Sequence, residues 1–380
     1  MESADFLIIG GGIAGLSAAS RLSRHGRVVL LEAEDATGYH SSGRSVTFSH
    51  YGIGNATVRG MSAYSRSFFE TPPEGFSDVP LCRVQAALHA ATEAQLDEAE
   101  SLHARMAPFN PQAYWVGRDE MLALCPVLRS DEHGFVRGSL DPVGLKLDAD
   151  ALLQAFVRDV HARGGTVATG RRVAAIAGSG TDWTVTTEAG ERWNAPILIN
   201  AAGAWADRIA NLAGVRPVGL APLRRTIIVV DPPAGAATAN WPFVLSVAND
   251  FYMLPEAGRL LVSPVDEIPS EPTDAAPEEY DIALAAAKLE EYTTLTVQRI
   301  PHRWAGLRSF VKDRVPTAGF APDAPGFFWL AGQGGYGLQT APAMSEIVEA
   351  LVIGGSWPAG LTAVGVRPDQ ILPERLFAAD

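Results

Sequence analysis

The run Gly10-Gly11-Gly12-Ile13-Ala14-Gly15 constrains the fold of this chain more than any other feature. It follows Phe6–Ile9, an unbroken apolar run. It opens a stretch from Ile13 to His25 in which Leu16, Ala19 and Leu22 recur at helical spacing. Gly26 is placed as the helix stop, Val28 to Leu31 is a second apolar run, and Glu32 closes it. Strand, glycine turn, helix and strand within about 30 residues make a right-handed parallel βαβ unit. The glycines fit a dinucleotide turn. Gly10 permits the tight bend, Gly12 lets backbone approach a pyrophosphate, and Gly15 lets helix and strand pack closely; Ala14 sits in the same turn. The helix N-terminus offers free N–H groups to negative charge. Glu32, with Ala33 beside it, stands about 20 residues on, where a carboxylate holds a ribose hydroxyl and disfavours a 2′-phosphate. The unit alone admits FAD or NAD.

Two features farther along select FAD. Asn200-Ala201-Ala202-Gly203-Ala204-Trp205 ends the apolar run Ile197–Asn200 in small residues, which suits backbone pressed against an extended cofactor. The run Phe327–Ala331 enters a second glycine-rich turn, Gly332 to Gly337, followed by a helix expected over 341–353. Successive N–H groups at that helix start would stabilise an anionic reduced flavin. The expected cofactor is FAD, held non-covalently.

At 380 residues the chain exceeds the size at which one core stops growing, so two domains are expected. Residues 38–54 read as an extended loop, 91–106 as an acidic helix, and 148–162 as an amphipathic helix. Strands are expected at 166–176, 183–187 and 226–230. Pro264, Pro269, Pro272 and Pro277 mark a surface segment. Nucleotide-domain signals come at the start, middle and end of the chain, with β-rich sequence between. The expected fold is mixed α/β: a discontinuous Rossmann-like FAD-binding domain (1–46, 148–212 and 315–380) and a sheet-rich substrate-binding domain (47–147 and 213–314).

Composition excludes several classes. The formal net charge is −13 and the arginine pairs are isolated, so no nucleic-acid partner is expected. No apolar run reaches the roughly 18–20 residues of a membrane span. Met1 to Asp5 runs straight into a strand without a basic leader, which points to a cytoplasmic protein. Cys82 and Cys125 read as two thiols rather than a disulfide. The histidines form no metal-ligand spacing, so no metal is expected.

From Gly10 to Gln339 the chain resembles the FAD-dependent D-amino-acid oxidase and glycine oxidase superfamily, and within it the bacterial D-arginine dehydrogenase branch. Four blocks carry the likeness: Gly38-Tyr39-His40-Ser41-Ser42-Gly43-Arg44-Ser45, Asn200–Trp205, Trp304–Phe310, and Gln333-Gly334-Gly335-Tyr336-Gly337-Leu338-Gln339-Thr340. The resemblance implies that Ser41, Ser42, Gly43, Arg44 and Ser45 wrap the pyrophosphate and isoalloxazine. It puts Val173 by the adenine, with Ala202, Gly203 and Trp205 along the cofactor. Gly334, Gly335, Tyr336, Gly337, Leu338 and Gln339 line the flavin's pyrimidine edge.

An α-amino acid must be held by its carboxylate so that its Cα–H faces the flavin, and a planar guanidinium does this with two parallel hydrogen bonds. Arg308, between Leu307 and Phe310, is the candidate; a structural ion pair is the bland alternative. Tyr252 fits a hydroxyl touching the same carboxylate, or a core tyrosine. Arg224 and Arg225 point to opposite faces of a strand, so one of them sees the site; the resemblance favours Arg224, with Arg225 the alternative. Gly335 and Gln339 are also expected near the substrate. Where the D-arginine branch has a glutamate, a histidine and a tyrosine around the substrate side chain, this chain has Gln85, Phe48 and Ile53. His50 is either a partial substitute or an ordinary loop histidine. These departures favour apolar or neutral side chains over a guanidinium.

The resulting expectation is oxidative deamination of free amino acids, D-amino acids first. Hydride passes from Cα to the flavin, giving a 2-oxo acid and ammonia through an imino acid, with oxygen or a quinone-type compound as electron acceptor. The same fold could instead serve N-substituted amino acids, glycine or 2-hydroxy acids, or act as an electron-transfer subunit of a complex.

Overall fold

The computed structural model describes residues 2–377. A six-stranded sheet forms the nucleotide half, in the order Thr166–Ala168, Val28–Leu31, Phe6–Ile9, Ile197–Asn200, Ala324–Ala331, Thr317–Ala321. All neighbours are parallel except the last pair. The parallel strands are buried on both faces, so they read as continuous apolar runs rather than alternating ones. On one face lie the helices Ile13–Leu22 and Gly337–Val352, with Leu16, Leu22, Ile347 and Val348 in a single core. His25 and Glu349 join these helices at the surface, 2.7 Å apart. A smaller sheet of Glu2–Ser3, Arg192–Ala195, Asp182–Thr187 and Val173–Ser179 covers the other face.

A nine-stranded sheet builds the second half. It runs Ile268–Pro269, Ala221–Val230, Arg259–Ser263, Tyr252–Glu256, Phe243–Ser246, Ala87–Ala91, Arg137–Asp141, Tyr114–Gly117, and His302–Phe310 pairs with Ala221–Val230. One face packs Leu88, Ile228, Val244 and Val262 against the helices Arg118–Leu124 and Glu279–Tyr292. The opposite face carries Ile227, Phe243, Tyr252 and Leu254 and looks toward the nucleotide half.

Several elements differ from the sequence expectation. The stretch 91–106 is not one helix: Ala87–Ala91 is a buried strand, and Thr92 and Gln95 form a capping box before the helix Leu96–Met106. The strand expected over 166–176 breaks at Gly170, whose φ of +64° turns the chain between Thr166–Ala168 and Val173–Ser179. The last helix starts at Gly337, earlier than expected, and carries Pro342 in its second turn, where the proline gives up one intrahelical N–H bond. Asp148 caps the helix Ala149–Ala162 by accepting the Ala151 N–H at 2.9 Å. Cys82 and Cys125 are free thiols. Among the described residues, no helix is long and apolar enough to cross a membrane and no cluster could hold a metal ion.

Candidate functional site

Two cavities meet end to end between the halves. They share Gly12, Ser41, Ser42, Ala201, Gly203 and Ala204, so together they form one elongated trough. Gly10, Glu32, Ala33, Val173, Ala202 and Trp205 line the first. Ala14, Arg44, Ser45, Phe48, Tyr252, Arg308 and the whole Gly334–Gln339 turn line the second.

The chain's own packing enforces the glycine turn. Gly10 has φ +109°, and a Cβ there would lie 2.4 Å from the Ala201 carbonyl oxygen. A Cβ on Gly15 would lie 1.9 Å from the Gly10 oxygen, so only glycine lets the helix approach the strand. Gly15 and Gly43 shape the trough without lining it. The Ser42 hydroxyl accepts the Ile13 N–H at 2.9 Å and anchors the 38–45 loop on the helix N-terminus. At the far end the Glu32 carboxylate accepts the N–H groups of Gly11 (2.6 Å) and Glu34 (2.9 Å), which fixes its direction and leaves lone pairs for a hydroxyl. A trough of this length, with a glycine cradle at its waist and an oriented carboxylate at one end, fits FAD.

Strand register builds the other end. Antiparallel pairing sets Leu223 opposite Arg308 and Arg225 opposite Gly306, so Arg225 and Arg308 are diagonal neighbours on one sheet face. Tyr252 pairs with Ser263 on the same face, and its buried hydroxyl meets no partner in full hydrogen-bond geometry among the described residues. Arg225, Tyr252 and Arg308 all line the cavity. Among the described residues no carboxylate ion-pairs with Arg308. Burial, then the Arg308 charge, pushes Arg225 down to about 9. Burial pushes the Tyr252 phenol up, opposed by Arg308 and Arg225. Gly335 is held small by Arg308, whose guanidinium carbon would lie 2.8 Å from a Cβ there. Gln339 is fixed by donating to the Ser62 hydroxyl at 2.8 Å and accepting the His50 N–H at 3.4 Å.

Four candidates stand elsewhere. Arg224 is turned away: it pairs with Glu278 and, at 2.9 Å, with Asp281. Its neighbour Arg225 takes the cavity face, reversing the preference between them. Ile53 packs against the nucleotide core. Gln85 is buried and donates to the Trp241 carbonyl at 3.1 Å, away from the cavity wall. His50 lies behind Phe48 in a buried aromatic cluster with Phe243 and His89. Burial holds His50 far below the usual histidine range and His89 at about 4, so both rings are neutral. Phe48 does line the cavity, next to Thr47 and across from Ile227, neither of which sequence reasoning had singled out. Thr47 adopts φ +48° and accepts the Lys146 ammonium at 2.7 Å.

Among the described residues, the wall of the substrate end holds no aspartate, glutamate, histidine or lysine. It can therefore grip an anion and surround an apolar group, but it offers no strong base and no counter-charge for a cation.

The family model for FAD dependent oxidoreductases, DAO, matches residues 5–351. The hydrogen cyanide synthase subunit HcnC of Pseudomonas aeruginosa is 25% identical over 92% of this chain and 92% of its own. Among solved structures, the FAD-bound L-α-glycerophosphate oxidase of Mycoplasma pneumoniae aligns with TM-score 0.82 at 21% identity, covering 94% of this chain and 96% of its own. The glycine oxidase of Geobacillus kaustophilus gives TM-score 0.82 at 20% identity with the same coverage.

Proposed function

From the premise that the chain belongs to the FAD dependent oxidoreductase family, we propose that it oxidises free α-amino acids with apolar or neutral side chains, the D series first, to 2-oxo acids and ammonia. FAD is its cofactor. The observation that carries the reading is the convergence of Arg308, Arg225 and the Tyr252 hydroxyl on a cavity wall that contains no base.

When bound, FAD supplies the acceptor for the hydride that leaves the substrate Cα. The chain's own part is positioning and electrostatics. Arg308 holds the substrate carboxylate, with Arg225 and Tyr252 completing its hydrogen bonds, so that only rotation about one bond remains to be fixed. Phe48 and Ile227 surround the side chain and exclude water from it. An amine that enters neutral needs no protein base, because its nitrogen lone pair forms the C=N bond as the hydride departs; the resulting imino acid is then hydrolysed by water. A 2-hydroxy acid must instead lose its hydroxyl proton to a base, and the wall provides none. The same absence of carboxylates argues against cationic side chains. The D series rests on the four sequence blocks at Gly38–Ser45, Asn200–Trp205, Trp304–Phe310 and Gln333–Thr340.

The test is anaerobic bleaching of the FAD-loaded protein by paired D- and L-amino acids, glycine, sarcosine and proline. Bleaching by apolar D-amino acids is expected; bleaching by L-amino acids alone overturns the stereochemical assignment. A second reading, the catalytic subunit of a larger complex, is favoured by the likeness to HcnC, which is a subunit over nearly the same length. Reduction of the purified chain by a free amino acid excludes an obligate need for partners.

A further inference from the structure

Arg225 is a cation buried beside another cation, and one turn holds it there. Its side chain is 5% exposed. Its Nε donates to the backbone carbonyl of Asp266 at 2.6 Å and lies 3.8 Å from that residue's Oδ1. The same Oδ1 accepts the N–H of Thr226, the next residue along the arginine's strand, at 2.8 Å. Ser263 closes the arrangement: its hydroxyl donates to the Thr226 carbonyl at 2.7 Å and accepts the Val265 N–H at 3.1 Å. Between them Val265, a β-branched residue, is held at φ +55°, a left-handed conformation that branched side chains disfavour. Asp266 Oδ2 is buried and has no hydrogen-bond partner among the described residues.

We propose that Asp266 is the positioning residue for Arg225: the Ser263–Asp266 turn aims the guanidinium into the cavity and balances its charge, leaving Arg308 as the unbalanced cation that a single substrate carboxylate neutralises. The proposal rests on the reading that Arg225 helps hold that carboxylate.

Physical chemistry requires some such device. Two guanidiniums on one wall repel each other in a desolvated site, and a long flexible side chain would swing out or lose its proton unless something opposed it. The charged and titratable groups facing Arg225 are Asp266 and Glu267 from the turn, Tyr252 from its strand and Arg308 from the strand paired with its own. Glu267 contributes less: its carboxylate is 3.5 Å from Arg225 and closer, at 2.7 Å, to Arg314 on the surface. Asp266 alone combines a backbone acceptor, a buried carboxylate and a link to the arginine's own strand. Its side chain cannot reach the substrate's reacting atoms through Arg225, so its influence falls on binding rather than on chemistry.

The test measures acetate as a competitive inhibitor of the FAD-loaded enzyme, together with KM, kcat and the alkaline limb of acetate binding. Asp266→Asn keeps the shape and the acceptor for Thr226 but removes the charge. It is expected to weaken acetate about tenfold, the size of one lost charge-assisted contact. KM should rise in parallel, kcat should stay within about threefold, and the alkaline limb should move to lower pH. Glu267→Gln is expected to change acetate binding less than Asp266→Asn. Val265→Gly, which relieves the positive φ and loosens the turn with every charge kept, is expected to weaken acetate without moving the limb, and it serves if Asp266→Asn does not fold. Unchanged acetate binding in whichever of these two variants retains FAD overturns the proposal. Arg225→Ala separates the two readings: if it leaves acetate binding unchanged, the role of Arg225 itself has failed, whereas an effect there with none from the turn variants refutes the positioning role alone.

Discussion

Replacing Arg308 with alanine is the most informative perturbation of the substrate end. Among the described residues no carboxylate ion-pairs with this guanidinium, so its removal strands none of them in the interior. The loss therefore falls on the substrate's carboxylate. Two hydrogen bonds to a charged group are worth about 1.5–3 kcal/mol each. Two effects offset part of that. Arg225 and Tyr252 still face the anion, and Arg225 is relieved of a neighbour that pushes its proton off. The net expectation is about 3 kcal/mol, or roughly 150-fold in kcat/KM. The assay is steady-state kinetics on the best amino-acid substrate, with FAD content measured on the same preparation. FAD should be retained at full stoichiometry, since Arg308 lines the substrate end of the trough beside Gly335, whereas Gly10 lines the other cavity. An Arg308→Ala enzyme that keeps its flavin and stays within threefold of the parent kcat/KM refutes the carboxylate anchor.

Arg224→Ala should separate the two neighbouring arginines. It leaves the 2%-exposed Asp281 without its cation, which costs about 3 kcal/mol and lowers the melting temperature, while KM stays within about twofold; a raised KM with unchanged stability would contradict the register. Acetate binding should weaken as pH rises through about 9, because Arg225 is charged and able to hold an anion below that point and neutral above it. A constant that stays flat through this range, or a limb that survives in Arg225→Ala, would reject the assignment. Gly15→Ala should abolish FAD binding or folding, since its Cβ would lie 1.9 Å from the Gly10 oxygen, and a soluble variant with full flavin content counts against the turn geometry. Gly335→Ala meets only the movable end of Arg308, at 2.8 Å, so FAD should stay while KM rises; a flavin-free product would show that the 334–337 turn serves the cofactor more than the substrate.

The nucleotide half was legible because its chemistry is local. Gly10, Gly12, Gly15 and Glu32 fall within one βαβ unit, and each is tied to its type by a contact spanning few elements. The parallel strands announced themselves as apolar runs because both faces are covered. The substrate end was harder for the same reason in reverse. Thr226 to Val230 is buried throughout, so hydrophobicity gave no parity from which to decide whether Arg224 or Arg225 faces the cavity. The deciding signal was long-range: Glu278 and Asp281, three residues apart at the start of a helix, form an acidic pair matched to Arg224. The family resemblance puts Gln85 and Ile53 near the substrate, yet packing turns them toward the Trp241 carbonyl and the nucleotide core. The turn at Val265 and Asp266 left no trace in the sequence beyond neighbouring prolines, because its role depends on a sheet partner some forty residues away (|i−j| = 41 to Arg225).

The central claim is that a carboxylate held by arginine presents an amine, and not an alcohol, for oxidation. The most direct measurement is anaerobic bleaching of the FAD-loaded protein by three matched compounds sharing one apolar side chain: the amino acid, its methyl ester and the corresponding 2-hydroxy acid. Bleaching by the amino acid alone is the predicted result. Bleaching by the ester as readily as by the acid would remove Arg308 and Arg225 from substrate binding, and bleaching by the hydroxy acid alone would contradict the account as a whole.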